Sequence, residues 1–153
     1  MKKLFYFLSL GIIAGMMMMT SCKDDPDEQL TAQQEQAQLL AGIWTQQNTT
    51  QLPQGVDPTI LDQLTFTFGI DANKNPSSFS SGGAPDFFTT SGSSEWAFSG
   101  SSTTSLILSE VSPVSELTIN SLTATSLTVS FSLTSGGVRV ASLDGNYTVE
   151  MTK

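Results

Sequence analysis

Several stretches of this chain alternate apolar and polar residues with a period of two. Leu64, Phe66, Phe68 and Ile70 alternate with Thr65, Thr67 and Gly69, and Trp96 and Phe98 with Glu95 and Ala97. Leu117 and Ile119 flank Thr118; Leu127, Val129, Phe131 and Leu133 alternate with Thr128, Ser130 and Ser132; Tyr147, Val149 and Met151 alternate with Thr148 and Glu150. Successive side chains of a strand point to opposite faces, so this pattern predicts antiparallel sheet with one buried and one wet face. Ser135-Gly136-Gly137 and Asp144-Gly145-Asn146 supply hairpin chemistry, because glycine accepts positive φ there.

The runs predict about eight strands, near 43–49, 63–70, 86–90, 94–99, 104–110, 115–120, 126–134 and 138–151, the last interrupted at Asp144-Gly145. Many short strands with evenly spaced turns imply a sandwich or a closed barrel. The stretch from Asn73 to Ser94, rich in Gly, Ser, Asn and Pro, reads as long hairpin loops, with 86–90 the weakest of the strands. Ser and Thr account for 41 of the 153 residues, while charged residues are 13%. Such a composition suits either a disordered linker or half-buried strands, and the ordered alternation favours strands over most of the chain.

Ahead of the strands, Thr31-Ala32-Gln33-Gln34 reads as a helix N-cap with a reciprocating glutamine. Ala37, Leu40 and Ala41 give a modest apolar face, and Gly42 stands where a glycine ends a helix. One short helix over 31–42 is expected, packed against the end of the strand domain 43–153.

The first residues read differently. Lys2 and Lys3 precede Leu4 to Met19, an uncharged and mostly apolar run. That is the basic and apolar order of a secretory signal, over residues 1–21, and it is shorter than the ~20 apolar residues a bilayer-spanning helix needs. The run ends in Met19-Thr20-Ser21-Cys22, which resembles the lipobox of bacterial lipoproteins, with Met19 in place of the usual Leu. The resemblance implies cleavage before Cys22 and lipid on its thiol. Cys22 is the only cysteine, so an intramolecular disulfide is excluded despite export. Each buried CH₂ adds about 0.8 kcal/mol of membrane affinity, so several acyl chains make a lasting anchor.

Lys23-Asp24-Asp25-Pro26-Asp27-Glu28 lies in a charged tether over 22–30. It looks like the acidic export signal that follows the lipidated cysteine in lipoproteins of Bacteroidota. That implies an outer-membrane lipoprotein exposed at the cell surface, the alternative being retention on the periplasmic face. After cleavage the basic residues are Lys23, Lys74, Arg139 and Lys153 against all 14 acidic ones, a net charge of −10. A chain so acidic repels phosphate backbones, which argues against a nucleic-acid partner.

Leu39-Leu40-Ala41-Gly42-Ile43-Trp44 resembles the helix-to-strand entry of the lipocalin-like domain lipoproteins of Bacteroidota, where Gly-x-Trp opens the first strand. Leu117 to Thr123 and Leu143 to Val149 are similar to later segments of that family, so the resemblance covers roughly residues 30 to 153. It implies an all-β fold, a small antiparallel eight-stranded lipocalin-like barrel preceded by one short α-helix. It also implies that Trp44 closes one end of the barrel, with Arg139 as the candidate cation across its indole. A solvated Arg139 at a hairpin shoulder is the plainer reading.

The chain has no histidine, which removes His-based general bases, Ser-His-Asp triads and His-ligated metals. Lipidation of Cys22 would remove thiol chemistry as well. The domain acids fall on turns or outward strand positions, away from the burial that raises a carboxyl pKa. A non-enzymatic protein without cofactor or metal is expected. Asp71-Ala72-Asn73-Lys74-Asn75 has the rhythm of a calcium loop, but Pro76 replaces the required glycine and Gly82 the required Glu. An Asx-rich turn is the better reading.

Phe87, Phe88 and Trp96 are the candidate ligand contacts. Phe87 and Phe88 are consecutive, so on a strand one of them would face solvent. Two roles follow for such a barrel. One is an accessory or interaction protein, meeting an envelope protein or a surface glycan. The other is a binding module for a small apolar or amphipathic ligand in the barrel mouth. The inward bulk of Phe66, Phe68, Trp96, Phe98, Phe131 and Leu133 argues for a filled interior and hence for the first.

Overall fold

A computed structural model of the chain describes residues 29–134 and 143–153. Helix α1 (Ala32–Leu40) leads into strands β1 (Gly42–Gln51), β2 (Thr65–Ile70), β3 (Pro76–Gly82), β4 (Phe88–Phe98), β5 (Ser105–Pro113), β6 (Glu116–Leu122), β7 (Ser126–Leu133) and β8 (Gly145–Thr152). A single turn of 3-10 helix, Pro58–Leu61, lies between β1 and β2. Each strand pairs antiparallel with its neighbours in sequence, and β8 returns to pair with β1. The result is an all-β, closed, up-and-down barrel of eight strands with one helix, the lipocalin-like architecture expected.

Alternation in sequence becomes alternation in burial. On β7, Leu127, Val129, Phe131 and Leu133 are buried, while Thr128, Ser130 and Ser132 face outward. Tyr147, Val149 and Met151 repeat this on β8, directly opposite Phe131, Val129 and Leu127. Each large side chain withdrawn from water in this way contributes about 1.5–3 kcal/mol. The rings touch in one continuous series through the barrel. Phe98 meets Trp96 at 5.4 Å between centroids, Trp96 meets Phe68 at 5.3 Å, and Phe68 meets Phe66 at 6.0 Å. Phe66 then meets Phe88 at 4.9 Å, Phe88 meets Phe131 at 5.1 Å, and Phe131 stacks on Tyr147 at 5.3 Å. Most of these contacts are edge-to-face, the arrangement that ring quadrupoles favour.

Two strands differ from the sequence reading. Pro76–Gly82, expected to be loop, forms β3, in which Phe79 is the buried side chain among serines. The segments expected as separate strands at 86–90 and 94–99 are one strand, β4, whose register against β5 shifts between Thr90 and Glu95. A β-bulge absorbs the extra residues and lets the strand continue. The expected strand over 138–151 is β8 from Gly145 onward, and its earlier part lies outside the described residues.

The two ends of the barrel are built differently. Helix α1 lies across the end where the β2–β3 and β4–β5 turns converge, with Ala37 and Leu40 turned into the core. Thr31 Oγ1 accepts from Gln34 N at 3.2 Å and Thr31 N donates to Gln34 Oε1 at 2.9 Å, the reciprocal cap read from the sequence. Gln33 Nε2 donates to Gly100 O at 2.9 Å and to Ser102 O at 2.8 Å, and Gln34 Nε2 to Asn73 O at 3.0 Å. At the opposite end, the connection from Leu52 to Leu64 and the turn from Gly83 to Phe87 cover the opening. Phe87 accepts a backbone bond from Val114 N at 3.1 Å there.

Candidate functional site

The structure places the aromatic candidates in the interior. Phe87 is 0% exposed, Phe88 4% and Trp96 2%. The expectation that one of the consecutive phenylalanines faces solvent is corrected. Phe87 belongs to the turn before β4, so strand alternation does not govern it, and both rings enter the core. Phe87 packs edge-on against Tyr147 at 5.0 Å and Phe131 at 6.0 Å. Trp96 Nε1 donates to Gly69 O at 2.7 Å, which satisfies the polar end of a buried indole.

Trp44, on β1, is buried at the α1 end, and its Nε1 donates to Leu40 O at 2.7 Å. The cation over its ring is Lys153, with Nζ 4.7 Å from the ring centroid, and the same Nζ donates to Leu39 O at 2.9 Å. Desolvation lowers the Lys153 pKa below the usual lysine range. Arg139 and Cys22 both lie outside the described residues.

Asp71 behaves as an Asx turn. Its Oδ1 accepts from Asn73 N at 2.9 Å and Asn75 N at 2.8 Å, and its Oδ2 from Asn75 Nδ2 at 3.2 Å. These bonds, led by those from Asn75, hold the carboxyl pKa below its ordinary value. Among the described residues no group of three His, Cys, Asp or Glu could hold a metal ion.

A groove of about 520 Å³ lies on the outer wall of the barrel, toward the end away from α1. It is lined by the outward residues of β6, β7 and β8, including Thr118, Asn120, Ser130, Ser132, Asn146 and Thr148, together with Gln51 at the end of β1. They face outward because Leu117, Ile119, Val129, Phe131 and Tyr147 face inward on the same strands. Side-chain bonds cross between the strands. Ser130 Oγ is 3.2 Å from Asn120 Oδ1, Ser132 Oγ is 2.6 Å from Asn146 Oδ1, and Thr148 Oγ1 is 3.1 Å from Gln51 Oε1. Glu116 is the one charged residue of the lining.

Sequence reasoning missed this groove. Its residues read only as the wet half of each strand, and nothing in a single strand tells which wet positions meet across a closed sheet. Comparison of the chain with family models, with curated proteins and with solved structures finds no match.

Proposed function

We propose that this chain is a lipid-anchored envelope lipoprotein, non-enzymatic, acting as an accessory or interaction protein through the outer wall of its barrel. The reading is supported above all by the placement of two features at opposite ends. The chain enters the barrel through α1, and the groove opens toward the other end. Lipid on Cys22 would leave only the segment from 22 to Thr31 between the membrane and the helix cap, at most about 30 Å when fully extended. The α1 end would then sit against the membrane and the groove would be presented away from it. The continuous packing of rings inside the barrel favours work on the exterior over capture of an apolar ligand within.

The Lys23–Glu28 run, similar to the surface-export signal of Bacteroidota, supports display on the outer face of the outer membrane. Labelling of the full chain with radioactive palmitate in a bacterial host tests the anchor. The parent should incorporate label and remain with membranes, and Cys22→Ala should lose both. Equal incorporation by Cys22→Ala would sink the anchor. Protease treatment of intact cells tests the face. Cleavage without lysis is expected for surface display, and full protection would return the protein to the periplasmic side.

A further inference from the structure

We propose that the groove across β6, β7 and β8 binds an uncharged carbohydrate, recognised through ring hydroxyls. This deepens the reading of the outer wall as the working surface and does not depend on the anchor.

The first argument is the state of the amides. Asn120, Asn146 and Gln51 each lie with their side-chain oxygen against a hydroxyl, of Ser130, Ser132 and Thr148 in turn. With the oxygen in that contact, the NH₂ end of each amide is the donor it offers to further partners. The serine and threonine oxygens keep their lone pairs as acceptors. Donors and acceptors therefore alternate from strand to strand at about the 4.8 Å sheet spacing. Vicinal sugar hydroxyls, each both donor and acceptor, match such an array.

Charge gives the second argument. Among the described residues the lining holds Glu116 and no Lys or Arg, on a chain of net charge −8. An acidic glycan or a phosphorylated ligand would meet that carboxylate. The volume of about 520 Å³ falls within the range of sites for small ligands.

The surroundings disfavour the other occupants. Protein interfaces are anchored by buried aromatic residues and arginine. The aromatic residue of the lining, Phe131, is committed to the barrel core, and the exposed large apolar residues among those described, Leu39, Ile43 and Ile107, lie outside the lining. A peptide strand would need an unpaired sheet edge, whereas β7 and β8 beneath the groove are paired on both sides.

The test uses the full processed chain in a detergent that lacks a sugar headgroup. Maltohexaose, cellohexaose, mannohexaose and xylohexaose are titrated and followed by saturation-transfer NMR, with oligogalacturonate as the charged comparison. At least one neutral sugar should bind and oligogalacturonate should not. Asn120→Ala and Asn146→Ala, both exposed and dispensable for packing, should each weaken binding about tenfold without lowering Tm. Ser80→Ala on β3, outside the groove, should leave binding unchanged. Binding by none of the neutral sugars would overturn the proposal, as would binding equally strong in the Asn120→Ala, Asn146→Ala double variant. Loss of sugar binding with palmitate labelling intact would remove this inference alone, and the reverse result would remove only the anchor.

Discussion

The ammonium of Lys153 joins the end of β8 to the junction of α1 and β1, far away in sequence. It sits over the Trp44 indole, it bonds the last turn of α1 through Leu39 O, and it stands at the end of β8. A cation is favoured at a helix C-terminus, where carbonyls are left without partners. Lys153→Met is expected to lower stability by about 1 kcal/mol, or about 4 °C in Tm, while Lys153→Arg should largely preserve it. Thermal denaturation followed by circular dichroism measures both. Tyr147 carries a pH signature. Desolvation raises its phenol pKa above the ordinary value near 10, and the Asp144 carboxylate pushes the same way. The fold therefore favours the neutral phenol. That contribution is complete below the unfolded pKa and is lost as pH rises through the raised native value. Above about pH 10, stability of the parent should fall relative to Tyr147→Phe, which keeps Lys153 and so cancels that lysine's opposite trend. Equal alkaline profiles would contradict the assignment.

Among the elements, the short turn Gly83–Phe87 does more than connect β3 to β4. Gly83 has φ +80, and a Cβ there would stand 1.9 Å from Gln63 O. Backbone against backbone cannot yield as a side-chain tip can. Gly83→Ala is expected to cost at least about 2 kcal/mol, read as a lower urea midpoint with unchanged m-value. At the other end, Thr31→Ala removes one arm of the α1 cap and should cost about 1 kcal/mol. The capping box was legible because its signal is local, two residues three apart. Gly42 was legible for the same reason, and its φ of +125 suits a residue that ends a helix and opens a strand. Strand β3 was not. With Phe79 alone carrying its inward face, period-two alternation reduces to a single apolar residue among serines. Its partners in β2 determine that it is a strand, because the Phe66 and Phe68 rings need Phe79 beside them at 5.6 Å and 5.3 Å. The bulge in β4 was illegible for a related reason, since register belongs to a pair of strands.

For the molecule as a whole, the closed barrel determines the core, because it sets Phe87, from the turn before β4, against the paired Phe131 and Tyr147 of β7 and β8. Phe131→Ala should cost about 3–5 kcal/mol, measured by urea unfolding, since no neighbouring ring can fill the volume lost. The architecture was legible from strand number and alternation. The groove was not, because its lining comes from strands that closure and register bring together, and the sequence shows each only as a polar alternate. With β8 paired to β1, every strand has a neighbour on both sides. Where strands are paired on both sides, as β7 and β8 are, no backbone ladder is left for another chain to extend, and whatever meets that wall must read side chains. Inward positions hold the shape, so outward ones are free to be rewritten one by one. The same barrel can change its clientele without relearning how to fold.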